Sequence, residues 1–127
     1  MFSEFKDFLM SNSDCSIESE EIGIITFKYK GYTYLFANDN SDPYYIRLIL
    51  PNVADTNDER IKKSINEIIN KYNSNYKATK FTLVDNRIWI SIEQFIYSKE
   101  NINKLFLRII QILETVILKF KEEYSAQ

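Results

Sequence analysis

The sequence predicts an α+β domain of two layers, with helices packed on one face of an antiparallel five-stranded sheet. Three observations predict this fold class. Runs of β-branched and aromatic residues, which favour strands, form a group of three and a later group of two. Amphipathic helical patterns stand before, between and after these groups, so the element order is α-β-β-β-α-β-β-α. Short turns join the strands within each group, which is typical of antiparallel pairing.

The first two elements are predicted to be a short helix and an acidic loop. Phe5, Phe8 and Leu9 recur at steps of three and four residues, which places them on one face of a helix. Segment 11–21 follows with the sequence SNSDCSIESEE, whose polar and acidic residues favour a loop. The first strand is therefore expected to begin at residue 22.

Three strands are predicted to follow. Residues 22–29 and 32–37 are rich in β-branched and aromatic side chains, and Gly31 between them favours a tight hairpin turn. Residues 44–50 form the third strand. Pro51 is expected to end it, because proline has no amide hydrogen to donate to a neighbouring strand.

A second helix and a second hairpin are predicted next. Thr56 and Glu59 have the spacing of a capping box, in which two side chains bond to each other's backbone amides at the start of a helix. That helix is predicted to end within segment 73–75. The stretch FTLVDNRIWISIEQF, residues 81–95, then has the pattern of two strands joined at residues 85–86.

The last helix has the most regular pattern in the sequence. Its apolar residues keep a 3.6-residue period for about five turns, so they must cover one face of the sheet. Polar residues interrupt the apolar run, and no membrane-spanning segment is predicted. The apolar stripe consists of Ile102, Leu105, Phe106, Ile109, Ile110, Leu113, Val116, Ile117 and Phe120.

Length and composition indicate a single soluble domain that covers residues 1–127. Hydrophobic residues make up 45% of the chain and charged residues 27%, which are ordinary values for a globular protein. Cys15 is the only cysteine, so an intrachain disulfide is excluded and a reducing compartment is indicated. The acidic N-terminus lacks the basic start of a signal peptide. We therefore expect a cytoplasmic protein.

The residue types that most enzymes use are scarce in this chain. It has no histidine, the commonest general base and metal ligand. Its two glycines are too few for a glycine-rich phosphate loop. Asp39 and Asp42 precede Pro43 in a segment that superficially resembles a calcium loop, but the central glycine and late glutamate of such a loop are missing. We expect no enzymatic activity, no cofactor and no metal.

Alternation along the last predicted strand separates two sets of side chains. Ile88, Ile90 and Ile92 share one face and are expected under the final helix, whereas Trp89 and Glu93 share the other. A carboxylate on a solvated strand face needs no special role. The alternative is that Glu93 serves a carboxylate-based enzyme or a small-ligand site, which requires a second acid beside it.

Trp89 is the residue of this strand that most indicates a function. Since alternation turns it away from the final helix, it shares a sheet face with Tyr45 and with either Tyr34 or Leu35, depending on register. A partly exposed aromatic face is typical of a protein-binding surface, so the candidate binding residues are Trp89, Tyr45 and Tyr34. The alternative is that the second helix or a neighbouring subunit covers this face.

Charge is distributed unevenly along the chain. Residues 1–59 hold four basic and eleven acidic side chains, whereas residues 60–127 hold twelve and seven. This asymmetry indicates either the solvated faces of two helices or an electrostatic partner surface. Nucleic-acid binding is disfavoured by a pI near 5.2 and by the lack of an aromatic–basic motif. The lysines that raise this alternative are Lys62, Lys63, Lys71, Lys77 and Lys80.

The element order and one segment of the chain resemble known bacterial families. The order α-β-β-β-α-β-β-α is similar to that of class I type III secretion chaperones and of the related YbjN-like domains. Local similarity to the YbjN-like pattern covers Ile65 to Ile96, about a quarter of the chain, with a helix, a lysine-rich hairpin and a strand that ends in an acid. The matching positions are Ile69, Asn70, Lys77, Ile90 and Glu93.

This resemblance implies a small cytosolic protein that binds other proteins rather than catalysing a reaction. It also implies a homodimer. Secretion chaperones of this kind hold an extended segment of an effector along apolar patches on their helices and sheet, whereas YbjN-like domains have no firmly assigned activity.

Overall fold

The computed structural model describes residues 1–124, in which three helices accompany one six-stranded sheet. The helices are α1 (Phe2–Ser11), α2 (Glu59–Asn75) and α3 (Ile102–Tyr124). The strands are β1 (Cys15–Glu21), β2 (Ile24–Tyr29), β3 (Tyr32–Ala37), β4 (Tyr45–Asp55), β5 (Lys80–Val84) and β6 (Arg87–Phe95). All neighbours are antiparallel, in the order β1-β2-β3-β4-β6-β5. The α+β class is confirmed, and the sheet has one strand more than predicted.

The additional strand is β1, so the prediction of a loop at segment 11–21 is wrong for most of its length. β1 pairs with β2 from end to end, apart from one bulge. Two of its three glutamates form ion pairs, with Lys6 Nζ 2.8 Å from Glu20 Oε1 and Lys28 Nζ 3.4 Å from Glu18 Oε1. Pairing with a neighbour and local charge balance therefore outweigh the low strand propensity of these residues.

β4 continues through Pro51, where the sequence predicts its end. The register between β4 and β6 shifts between Leu50 and Ala54, so Pro51 lies in a bulge. Its missing amide hydrogen breaks no bond of the ladder there, which is the position in which a sheet tolerates proline. Asn52 in the same bulge has a φ of 54°, a left-handed conformation that asparagine tolerates better than most residues.

α2 begins with a different cap from the one predicted. Asp58 is the N-cap, and its Oδ1 accepts a hydrogen bond from the Arg60 amide at 2.9 Å. Thr56 instead donates its hydroxyl to the carbonyl oxygen of Asn86 at 2.7 Å, which ties the start of α2 to the β5–β6 turn. The capping-box prediction is wrong, since an aspartate two residues later satisfies the first turn. The helix ends at Asn75, as predicted.

The apolar stripe predicted for α3 faces the sheet and forms the centre of the core. Its Phe106 is completely buried and meets Phe5 of α1 edge-on, with ring centroids 4.8 Å apart. Phe5 in turn stacks flat on Phe36 of β3 at 4.0 Å. These rings join α1, α3 and the sheet in a single hydrophobic cluster. No helix within residues 1–124 is long and apolar enough to cross a membrane.

α2 belongs to the same helical layer. Its Tyr72 is buried against Phe81 of β5 and Phe120 of α3, with ring centroids 4.8 and 5.6 Å apart. The Tyr72 hydroxyl donates to Glu123 at 2.5 Å, and Lys71 pairs with the same carboxylate. All three helices of the described chain therefore lie on one side of the sheet. The alternative that the second helix covers the opposite side is wrong.

Candidate functional site

The sheet face opposite the helices, called the open face below, is covered by no other element of residues 1–124. Backbone pairing lines up Thr26, Leu35, Ile49 and Ser91 across its middle, from β2 to β6. Ile49 is only 5% exposed although it lies outside the main core cluster. Its neighbours on the open face therefore cover it, and this face has a small apolar centre of its own.

Trp89 lies on the open face, where alternation predicts it, while Ile88 and Ile90 are buried under the helices. The indole Nε1 donates a hydrogen bond to Asn52 Oδ1 at 3.0 Å. Because the β4 bulge positions Asn52, this bond fixes the half-buried ring against the sheet surface. The role of Trp89 in binding stays a prediction.

Of the two tyrosines proposed with Trp89, only Tyr45 lies on the open face. It is half-buried, and burial followed by the neighbouring Glu93 carboxylate raises its pKa. The placement predicted for Tyr34 is wrong, because its ring is fully buried under the helices and stacks on Phe27 at 5.3 Å. The register of β3 puts Leu35 on the open face instead. Burial also raises the pKa of Tyr34 strongly.

An aromatic cluster that the sequence analysis missed lies at one end of the open face. Tyr45 pairs with Phe95 across β4 and β6, and their rings are 5.1 Å apart. Tyr97 lies parallel to Phe95 at 6.2 Å and contacts Tyr44 at 5.3 Å. Three of these rings are at least half exposed, at 51% for Tyr44, 53% for Phe95 and 75% for Tyr97. Phe95 and Trp89 are an even number of residues apart on β6, so alternation alone predicts that both lie on the open face. The cross-strand partner of Phe95, however, depends on the register between β4 and β6.

A groove of about 470 Å³ lies beside this cluster, at the same end of the sheet. Its walls include Ile22 and Ile24 on one side and Tyr45 and Arg47 on the other. Ile22 is 93% exposed, at the turn between β1 and β2. An isoleucine so exposed beside aromatic rings enlarges the solvent-exposed apolar patch at this end of the sheet.

Arg47 and Glu93 form the central charge pair of the open face. They are directly paired across β4 and β6, and Arg47 Nε lies 3.6 Å from Glu93 Oε1. Both side chains are about 40% exposed, at 42% and 39%. Glu93 is thus a solvated carboxylate beside a cation.

Two other charges on the open face have no ion-pair partner within residues 1–124. Glu21 lies at the β1 edge, while Lys80 lies at the β5 edge on the opposite side of the sheet. Both side chains are exposed. Arg87 of β6 and Asp55 of β4, by contrast, form an ion pair with each other at 4.0 Å. The open face therefore has an acidic edge and a basic edge.

The lysines considered for nucleic-acid binding do not share one surface. Lys62 and Lys63 lie on α2, in the helical layer, whereas Lys80 lies on the open face of β5. Lys71 is engaged with Glu123. A continuous basic footprint, which nucleic-acid binding requires, is therefore not formed by these residues.

The aspartates of the turn before Pro43 bond to their own backbone. Asp39 Oδ1 accepts from the Ser41 amide at 3.0 Å, and Asp42 Oδ1 accepts from the Tyr44 amide at 3.2 Å. Such bonds are typical of turns. Within residues 1–124, no group of three or more metal-ligating side chains is close enough to hold an ion.

No family model matches the chain, and no curated protein matches its sequence.

Proposed function

We propose that this chain is a non-enzymatic, cytoplasmic protein-binding module that contacts its partner through the open face. One observation carries the proposal: all three helices within residues 1–124 pack on the same side of the sheet. The apolar and aromatic side chains of the other side therefore lack a covering layer. Uncovered apolar patches on soluble proteins typically mark sites of protein interaction.

The chemistry of the open face suits a protein partner. Aromatic residues contribute most of the binding energy in many protein interfaces, and polar residues usually surround them. Here Phe95 and Tyr97 are exposed in the aromatic cluster, and the half-buried Trp89, bonded to Asn52, lies farther along the same strand face. Arg47 and Glu93 supply a charge pair between them that fixes orientation more than affinity.

Apart from the additional strand β1, the observed element order matches the one that resembles secretion chaperones, and this resemblance supports a chaperone-like role and a dimeric state. The segment Ile65 to Ile96, which resembles the YbjN-like pattern, contains both β5 and β6 of the sheet. The partner proposed here is a protein; no membrane and no nucleic acid is part of the proposal.

The surroundings of Glu93 support an enzyme or a small-ligand site less well than the open face supports a protein-binding site. Its carboxylate is exposed and beside Arg47, whereas general acids and bases typically lie in clefts that exclude water. The side chains around it belong to a broad strand face.

Site-specific photocrosslinking tests the proposal. A benzophenone amino acid replaces Leu35 on the open face or, as the matched control, Leu118, which is 53% exposed on α3. After irradiation of cells that produce the protein, we expect protein adducts from the Leu35 position and few from the Leu118 position. Equal yields from both positions, or none from Leu35, would contradict the proposal.

A further inference from the structure

We infer that the protein covering the open face is a second copy of this chain, related to the first by a two-fold axis parallel to the strands. The inference rests on the proposed function, because it names the partner of the same face. The strand order, the shape of the open face, its charges and its area support this arrangement.

The strand order makes such an axis possible. In the order β1-β2-β3-β4-β6-β5, three strands lie on each side of the line between β3 and β4. A two-fold axis along that line places β3 over β4 of the other copy, β2 over β6, and β1 over β5. Interfaces of this kind are isologous, so every contact occurs twice. Face-to-face sheets with aligned strands are a common packing, with the sheets about 10 Å apart.

At the centre, the axis brings the apolar residues of the two copies together. Leu35 of β3 and Ile49 of β4 are direct neighbours in the central row of the open face. In the dimer Leu35 of each copy lies over the position of Ile49 in the other, and because Ile49 is only 5% exposed, Leu35 supplies most of the apolar surface at this point. The two flanking residues of the same row, Thr26 and Ser91, are small and allow close approach.

Shape is complementary at the aromatic end. Phe95 projects at the end of β6, and the groove beside Ile22 and Ile24 lies at the same end of β2. Because the axis exchanges β2 with β6 without reversing the strand direction, Phe95 of one copy lies over this groove of the other. The contact covers Ile22, whose 93% exposure is otherwise unexplained.

Charge selects the same axis. Glu21 and Lys80 have opposite signs, lie at opposite edges, and are offset by about one row of the sheet. With the axis parallel to the strands, Glu21 of each copy approaches Lys80 of the other. An axis perpendicular to the strands would instead place the acidic β1 edges of the two copies over each other and the basic β5 edges over each other, so that no edge meets one of opposite charge.

The area is sufficient for a dimer of moderate strength. Six strands of about six residues, spaced ~4.8 Å apart with ~3.3 Å per residue, form a face of roughly 600 Å². Stable interfaces bury about 600–1,000 Å² on each partner, so this face reaches the lower end of that range. The helical layers point outwards in such a dimer and stay accessible to other proteins.

Sedimentation equilibrium of charge-reversed variants tests the predicted pairing. We expect Glu21→Lys and Lys80→Glu each to weaken self-association about fivefold, since exposed ion pairs are weak but each occurs twice. The double variant should return to within about twofold of the original dissociation constant. Matched reversals on the exposed side of α2, Lys63→Glu and Glu67→Lys, should leave self-association unchanged.

Removal of the apolar contacts tests the same interface independently. Leu35→Asp should weaken self-association by about 100-fold, because it places a charge opposite Ile49 in a dry contact. Leu118→Asp in the helical layer is the matched control and should have no effect. Phe95→Ser, at a side chain already 53% exposed, provides a variant that keeps the fold, with an expected loss of about tenfold.

A chain that stays monomeric at about 100 μM would overturn the inference. A dimer that persists in Leu35→Asp, or charge reversals whose effects add in the double variant, would overturn it as well. If the protein is monomeric but crosslinks from the Leu35 position to another protein, the inference that the partner is a second copy is wrong and the proposed function stands. If it is monomeric and that position gives no adduct, both are wrong.

Discussion

The covered face and the open face of the sheet consist of the same strands but differ in their side chains. On the covered face Phe27 and Ile90 are fully buried against helices. Their sequence neighbours Thr26 and Trp89 lie on the open face and are half-buried. Alternation along each strand therefore separates residues that stabilise the fold from residues that are available for binding. Substitutions on the two faces should differ accordingly, in stability on one side and in association on the other.

The largest expected effect is on the covered face. Phe106→Ala should lower the free energy of unfolding by about 3–5 kcal/mol, because it removes a buried ring packed on Phe5 and Phe36. Leu118→Ala on the exposed side of the same helix should change it by less than about 0.5 kcal/mol. Urea denaturation measures both. Similar losses of stability in the two variants would contradict the assignment of Phe106 to the core and of Leu118 to the exposed side of the helix.

Cysteine reactivity compares the two faces of a single strand. Burial, with a smaller effect of Asp14, raises the pKa of Cys15 on the covered face of β1 to about 11. Since the thiolate is the reactive form, alkylation at pH 8 should be roughly 100-fold slower than for an ordinary exposed thiol. A cysteine placed at Ser19, on the open face of the same strand in a Cys15→Ser background, should react at an ordinary rate. Equal alkylation rates at the two positions would contradict this assignment of faces.

Trp89→Ala should affect association more than stability. The unfolding free energy should fall by about 1 kcal/mol, from the lost bond to Asn52 and partial burial. Self-association should weaken at the same time. Trp89→Phe keeps a ring without the donor and should recover part of the association. A loss of stability above about 3 kcal/mol in Trp89→Ala would instead place this side chain in the core.

The smallest effect is expected at the rim of the helical layer. Lys99 Nζ lies 2.7 Å from Glu4 Oε1 and lowers the pKa of Glu4 from 4.5 to about 2. The unfolded state binds this proton more readily, so the pair stabilises the fold above about pH 4.5 and loses its effect as the pH falls towards 2. Lys99 is exposed, which limits the contribution to less than about 1 kcal/mol. The stability difference between the original chain and Glu4→Gln should therefore shrink in acid, and a difference independent of pH would contradict the assignment.

The parts of the fold that the sequence predicted correctly depend on strong local periodicity. The stripe of α3 and the alternation around Ile90 each contain enough apolar residues to define a face. β1 was missed because its polar residues form a strand only beside β2. The end predicted at Pro51 was wrong because a bulge, which depends on register with β6, accommodates the proline.

Only those features of the candidate site that depend on the alternation of side chains within a single strand could be predicted from the sequence. Alternation along β6 correctly predicted that Trp89 and Glu93 lie on the face opposite the final helix. The register of β3, which decided between Tyr34 and Leu35, and the contact of Tyr45 with Phe95 depend on pairing between strands distant in sequence. The partnerless state of Glu21 and Lys80 likewise depends on which charges the fold brings together.

Trp89 provides the most direct test of the central claim that a second copy covers the open face, because it is the only tryptophan in the chain. Its fluorescence emission maximum is measured during dilution from about 50 μM to about 50 nM, a range centred on the micromolar dissociation constants of weaker interfaces. We predict a shift to longer wavelength on dilution, as water reaches the ring, and in Leu35→Asp the long-wavelength emission at every concentration. An emission maximum that is independent of concentration and identical in Leu35→Asp would contradict the claim.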